Sequence, residues 1–168
     1  MLGPVKEVLD ELKEENVIEE VKDNPAWINP LVGASKENGK PRLCIDSKEL
    51  NKQIVPFKHR LKTVEEVAAK MPGAKIFYKL DARCGFHQIP LDEESSKICS
   101  FSTPFGIYRY KRLPFGIIVA SETFQRTMDK HFVEGSESII DDVLVHGRTK
   151  EEHDENLVKI LEKLRKLG

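Results

Sequence analysis

Residues 139–147 read IIDDVLVHG, with Asp141 and Asp142 side by side in a run of Ile, Val and Leu. That composition and its short flanks predict a half-buried or buried strand. Charged side chains are rarely buried unless paired or metal-bound, because a carboxylate taken from water loses its hydration. Two readings of the pair are open. One is a hairpin turn facing water, since Asp favours turns. The other is a cation site in which the ion offsets the repulsion between the charges. Asp81 closes a second predicted strand, KIFYKLD, and a third acid at a strand end would let two strands present carboxylates to one point. Carboxylate oxygens, completed by water and phosphate, are the ligands magnesium prefers. His146 lies four residues after Asp142, an offset that in a strand shares a face without implying ligation.

Length and composition set the frame. A chain of 168 residues fits one domain or two small lobes. No apolar run approaches membrane-spanning length, and the first residues lack a secretory pattern, so the chain reads as soluble. Cys44, Cys84 and Cys99 are odd in number and widely spaced. That spacing argues for reduced thiols in an intracellular setting, against a disulfide framework or a cysteine zinc site. The net charge of −1 counts against a nucleic-acid binder. Two local basic clusters soften this, Lys36, Lys40 and Arg42, then Arg109, Lys111 and Arg112, although solvated strand edges look the same.

The elements that must position the acids follow from spacing. Pro4, Val5, Val8, Leu9 and Leu12 predict a helix that Asn16 closes or that Val17, Ile18 and Val21 continue. Leu31–Ala34 and Arg42–Ile45 flank the turn-rich SKENGKP and predict a hairpin. Thr63 with Glu66 forms a capping box for a helix with Val64, Val67, Ala68 and Met71 on one face, stopped by Pro72-Gly73. KIFYKLD predicts a core strand. Ile98–Phe101 and Ile107–Lys111 predict a strand pair around TPFG. Ser121 predicts the cap of a helix bearing Phe124, Met128 and Phe132. Thr149 and Glu152 cap a last helix with Leu157, Ile160, Leu161 and Leu164 inward. Strands and helices intermix without regular β-α-β alternation, which predicts an α+β fold.

Three segments, LDARCGFHQIPL (80–91), LPFGIIVASETFQ (113–125) and IIDDVLVHG (139–147), resemble in this order the polymerase motifs of reverse transcriptases of Gypsy-type LTR retrotransposon pol polyproteins. KENGKPRLCIDSKELNK (36–52) is similar to that family's fingers hairpin, and WINP (27–30) and TFQRTMDKHF (123–132) fit as well. The resemblance implies a fingers and palm part, with an antiparallel palm sheet backed by helices, truncated before the thumb. Residues 1–57 and 89–119 would be fingers, and 58–88 and 120–168 palm. The activity implied is RNA-directed DNA polymerisation, a template-directed nucleotidyl transfer of dNTPs. Asp81, Asp141 and Asp142 match the catalytic carboxylates that hold two Mg2+ ions, with Mn2+ an alternative. Lys36 and Arg42 match residues that contact the triphosphate, where a planar Arg fork suits phosphate oxygens. Phe86 matches an aromatic gate against a ribose 2′-hydroxyl, and Phe115 and Gly116 border the nucleotide pocket. Gln88 and Gln125 also match family positions, as fold support or as direct contacts.

The implied partners are an RNA or DNA template with primer, and dNTP, with no membrane. The implied location is the cytoplasm, in a retrotransposon particle. The family's thumb, connection, RNase H, protease and integrase regions lie outside this sequence. Since such regions hold much of the template-primer by its phosphates, weak or no processive synthesis is the expectation. Three positions depart from the family pattern. Ile139 stands where Tyr or Phe is usual and helps orient the primer end, Ser121 replaces a common proline, and 132–141 is short. The alternative function is an inactive remnant that binds nucleic acid or another protein through the old scaffold.

Overall fold

The computed structural model describes residues 2–35, 41–131 and 134–166. Contacts divide the chain into two units, Met1–Pro56 with Phe86–Ala120, and Phe57–Gly85 with Ser121–Gly168. The chain changes units at 85/86, three residues before the expected 88/89. Packing gives the reason. A Cβ on Gly85 would lie 3.0 Å from the Phe124 ring, in the second unit, whereas the Phe86 ring meets Phe115 in the first, 5.0 Å between centroids.

In the first unit, helix α1 (Leu2–Glu14) buries Leu9, with Val5, Val8 and Leu12 against the same core. Asn16 ends it with a left-handed φ of 56°, a conformation Asn tolerates through its short polar side chain. The continuation through Val17 and Ile18 is therefore not taken. Ile18 instead begins strand β1 (Ile18–Glu20). Strands β2 (Leu31–Ser35) and β3 (Pro41–Ile45) form the expected hairpin, with Leu31 opposite Ile45. Helix α2 (Lys48–Gln53) follows. Farther along the chain, helix α4 (Glu93–Ile98) leads into β5 (Ser100–Thr103) and β6 (Gly106–Tyr110). Sheet order is β1-β6-β5, all antiparallel. The WINP segment is lashed to the start of β5. Asn29 is buried, accepts from Trp27 Nε1 at 2.9 Å, and donates to the carbonyls of Ile98 and Ser100 at 2.9 and 2.8 Å.

The second unit holds α3 (Val64–Ala69), β4 (Ile76–Asp81), α5 (Ala120–Asp129, whose first residue belongs to the other unit), β7 (Ser136–Ile139), β8 (Asp142–Gly147) and α6 (Lys150–Arg165). Its sheet order is β4-β8-β7, antiparallel throughout. One face carries Val143, Val145 and Leu80 against Ile160, Leu157, Leu164 and Met128. Alternation sends Phe77, Lys79, Asp81, Asp142, Leu144 and His146 to the other face.

Several expectations are corrected. KIFYKLD is an edge strand, not a core strand, since among the described residues β4 pairs only with β8, and Phe77 and Tyr78 are half exposed. Ile98 ends helix α4 rather than starting a strand. Asp92 caps that helix by accepting from Ser95 N at 2.7 Å, and DEESSK carries no apolar period that would have announced it. Ser121 lies inside α5, which starts at Ala120. The capping box of α3 is present, but Val64 is exposed and Val67 is the residue buried. At α6, Thr149 accepts from Glu152 N, whereas the Glu152 carboxylate reaches back to Arg148 N. Ile160 is buried there, and Leu161 is half exposed. Phe132 and the hairpin tip at 36–40 lie outside the described residues.

The α6–β8 seam sets the position of the whole sheet. A Cβ on Gly147 would stand 2.4 Å from the backbone nitrogen of His153. We expect Gly147→Ala to lower stability by about 1–3 kcal/mol, the usual cost of overpacking. A urea midpoint equal to wild type would show that the seam yields freely.

Candidate active site

Strands β7 and β8 are joined by two residues, Ile140 and Asp141, because Ile139 pairs directly with Asp142. Only the first of these has a positive φ, 54° at Ile140. This is the pattern of a type II′ hairpin, which usually places Gly there. A β-branched residue in that region is strained, by about 1–3 kcal/mol for such conformations. The turn also pins β4, since Ala82 N donates to the Asp141 carbonyl at 3.0 Å, one step beyond the last strand pair.

Gln125 on α5 holds the turn from beneath. It is fully buried, and its Oε1 accepts from Ile140 N at 2.7 Å. Its Nε2 donates to Ser138 Oγ and to Asp129 Oδ1, each at 2.9 Å. Asp129 also meets His59 Nε2 at 2.8 Å and Lys62 Nζ at 2.9 Å, and Lys62 reaches Glu137 at 3.1 Å. Burial pushes the Asp129 carboxyl upward, but hydrogen bonds from Lys62, His59 and Gln125 outweigh it and hold the pKa below the ordinary Asp value. Of the two roles open for Gln125 in the sequence, the structure gives it support of the hairpin.

The backbone positions of Asp81, Asp141 and Asp142 fall at this end of the sheet. Asp81 and Asp142 are directly opposed across β4 and β8. Opposed residues of an antiparallel pair share a face, with Cβ atoms about 4.5–5.5 Å apart. Asp141 occupies the turn next to them. The turn reading thus holds for Asp141, and the strand register puts the Asp81 and Asp142 backbone positions beside it. The sequence reading missed Lys79, two residues before Asp81 and so on its face. Its ammonium lies 2.7 Å from Asp142 Oδ2. Its pKa is raised, first by that hydrogen bond and the Asp142 charge, then by the charges of Asp81 and Asp141.

Three carboxylates without nitrogen or sulfur suit magnesium in donor chemistry. Among the described residues, however, no three Asp, Glu, His or Cys side chains stand in a ready-made metal cage. The Asp142 carboxylate instead meets Lys79.

The expected nucleotide-pocket residues in the first unit also gather. Phe86 lies in a 3-10 turn (Gly85–Gln88), and its ring packs tilted against Phe115. His87 also meets Phe115, near perpendicular, at 5.3 Å between centroids. Gly116 has a φ of 96°, a left-handed conformation that suits Gly, and its carbonyl accepts from Ser47 Oγ at 2.6 Å and Asn51 Nδ2 at 2.8 Å. Asn51 Oδ1 in turn accepts from Ile118 N at 2.9 Å, a clamp that nothing in the local sequence pattern announced. Gln88 is exposed, and its carbonyl accepts from Arg112. Lys36 and the side chain of Arg42 lie outside the described residues; the Arg42 backbone is opposite Ala34 in the β2–β3 hairpin.

Comparison with known proteins adds an independent line. The family described as "Reverse transcriptase (RNA-dependent DNA polymerase)" matches residues 34–168. The retrovirus-related Pol polyprotein from transposon 412 of Drosophila melanogaster is 38% identical over 135 residues, covering 78% of this chain and 11% of that protein. Transposon Tf2-3 polyprotein of Schizosaccharomyces pombe is 31% identical over 140 residues, covering 81% of this chain and 10% of its own. The chain thus spans about a tenth of the curated relatives it matches. Among solved structures, the foamy viral protease-reverse transcriptase dRH in complex with ds DNA superposes with a TM-score of 0.88 at 22% identity, over 98% of this chain and 29% of that one. The selenomethionine-labelled Prototype Foamy Virus protease-reverse transcriptase CSH mutant gives 0.87 at 23% identity, over 99% and 22%. The α+β fold is shared with these structures.

Two measurements check the support beneath the turn. Gln125→Ala leaves the part-buried Ile140 N without its acceptor and opens a gap under the turn, so we expect a loss of about 1–2 kcal/mol in urea unfolding; no loss would remove Gln125 from this role. A depressed carboxylate pKa contributes stability above the unfolded value, near 4, that disappears as pH falls through the folded value. We therefore expect the stability gap between wild type and Asp129→Asn at pH 7 to close below about pH 4. A gap constant with pH would contradict the ion-pair network.

Proposed function

The chain belongs to the reverse transcriptase family, and on that premise we propose that it supplies the carboxylate centre and nucleotide pocket of an RNA-directed DNA polymerase from a Gypsy-type LTR retrotransposon. The observation that carries this reading is the register that opposes Asp81 to Asp142, with Asp141 in the connecting turn. Asp81, Asp141 and Asp142 would hold two Mg2+ ions, or Mn2+. When bound, such ions activate the primer 3′-oxygen and neutralise charge on the α-phosphate and the leaving pyrophosphate.

The chain's own residues provide the rest. A two-residue turn, braced by Gln125, keeps the acids on a rigid sheet end, and rigidity matters because misplacement of reacting groups is costly. Phe86, backed by Phe115, would close the space a 2′-hydroxyl needs, which selects dNTP over NTP. Gly116 keeps the adjoining backbone open, held by Ser47 and Asn51. Lys36 and Arg42 would contact the triphosphate. In this reading the first unit is fingers and the second palm. The partners are a primed RNA or DNA template and the remaining regions of a longer polyprotein, and the setting is a cytoplasmic retrotransposon particle.

Metal-dependent addition of a single dNTP to a primed template tests the assignment. We expect Asp81→Asn, Asp141→Asn and Asp142→Asn each to slow addition by about 10²–10³-fold, as loss of several kcal/mol of charge stabilisation requires. Equal rates in wild type and Asp141→Asn would refute the chemistry.

A further inference from the structure

We propose that Lys79 is the resident counter-ion of the carboxylate set, an ammonium that holds Asp142 in the metal-free chain and gives way to a divalent cation. The inference rests on the metal-binding reading of the three aspartates. It begins from the strand period. Lys79 and Asp81 are two residues apart on β4 and share a face, and Asp142 lies opposite Asp81, so Asp142 is the diagonal neighbour of Lys79. A diagonal neighbour about 7–8 Å away is within reach of a long side chain. The ammonium closes that distance to 2.7 Å from Oδ2.

Both partners remain in contact with water, at 63% and 43% side-chain exposure. An exposed pair of this kind is weak and readily exchanged. It relieves like-charge repulsion at the sheet end without locking it. A lysine offers three donors on a flexible stem and here hydrogen-bonds Asp142, whereas a divalent ion takes several oxygens at once. Leu144, opposite Lys79, contributes no charge that would hold the ammonium once Asp142 is taken.

The test measures Mn2+ binding directly, by the electron paramagnetic resonance of free Mn2+, with the full 168-residue chain. Wild type is compared with Lys79→Met, Lys79→Arg and, as a control for bulk charge, Lys75→Met. We expect Lys79→Met to bind Mn2+ about two- to fivefold tighter, the range that loss of an exposed competing pair permits. Lys79→Arg and Lys75→Met should stay near wild type. Thermal unfolding should show Lys79→Met less stable than wild type in EDTA, with the difference closing at saturating Mn2+. Unchanged affinity in Lys79→Met, or equal tightening in Lys75→Met, overturns the counter-ion role and leaves the metal site standing. A stability deficit equal with and without Mn2+ makes the pair purely structural and overturns it as well. Absence of Mn2+ binding in every form removes the metal-site reading itself.

Discussion

Three carboxylates can share one place only if two strands from distant parts of the chain meet in a single register. Side chains alternate along a strand, so a slip of one residue between β4 and β8 would send Asp81 into the packed face and bring Leu80 out beside the turn. What forbids the slip is the opposite side of the sheet. Val143 and Val145 are buried, and partly buried Leu80 packs with them, against Ile160 and Leu157 of α6. Exposing that apolar set to water would cost more than any contact on the open face returns. The hydrophobic side of the second unit therefore fixes the geometry of its acidic side.

The same sheet end concentrates unfavourable terms. Ile140 adopts a conformation usually left to Gly, adjacent carboxylates repel, and a third acid is held across from them. Each is met by a specific partner. Gln125 satisfies the strained turn from below, Asp129, Lys62 and His59 brace Gln125, and Lys79 meets the charge from the open face. Strain and repulsion collect where a surrounding structure over-determines them, and such places are commonly functional.

Legibility in the sequence followed the same division. The acids and the hairpin were readable because turn chemistry and the ordered motifs are local. Phe86, Phe115 and Gly116 were singled out by resemblance, and the packing of Phe86 on Phe115 is a property of the fold. Lys79 was hidden inside an apolar strand, although its offset of two from Asp81 already put both on one face. Gln125 could not be assigned a role, since that requires knowing which side of α5 meets the β7–β8 turn. Helix α4 has no apolar period, so only its Asp92 cap marks it. The exposure of Phe77 and Tyr78 depends on strand order, a non-local property absent from any window of residues.

The most direct measurement of the central claim is an anomalous difference map from crystals of the chain soaked in Mn2+. The account predicts manganese at about 2.1 Å, the distance expected for Mg2+-like coordination, from oxygens of Asp81 and Asp142, with Lys79 withdrawn. Manganese bound elsewhere, or no peak at the β4–β8 end at a concentration that saturates binding in solution, would contradict it.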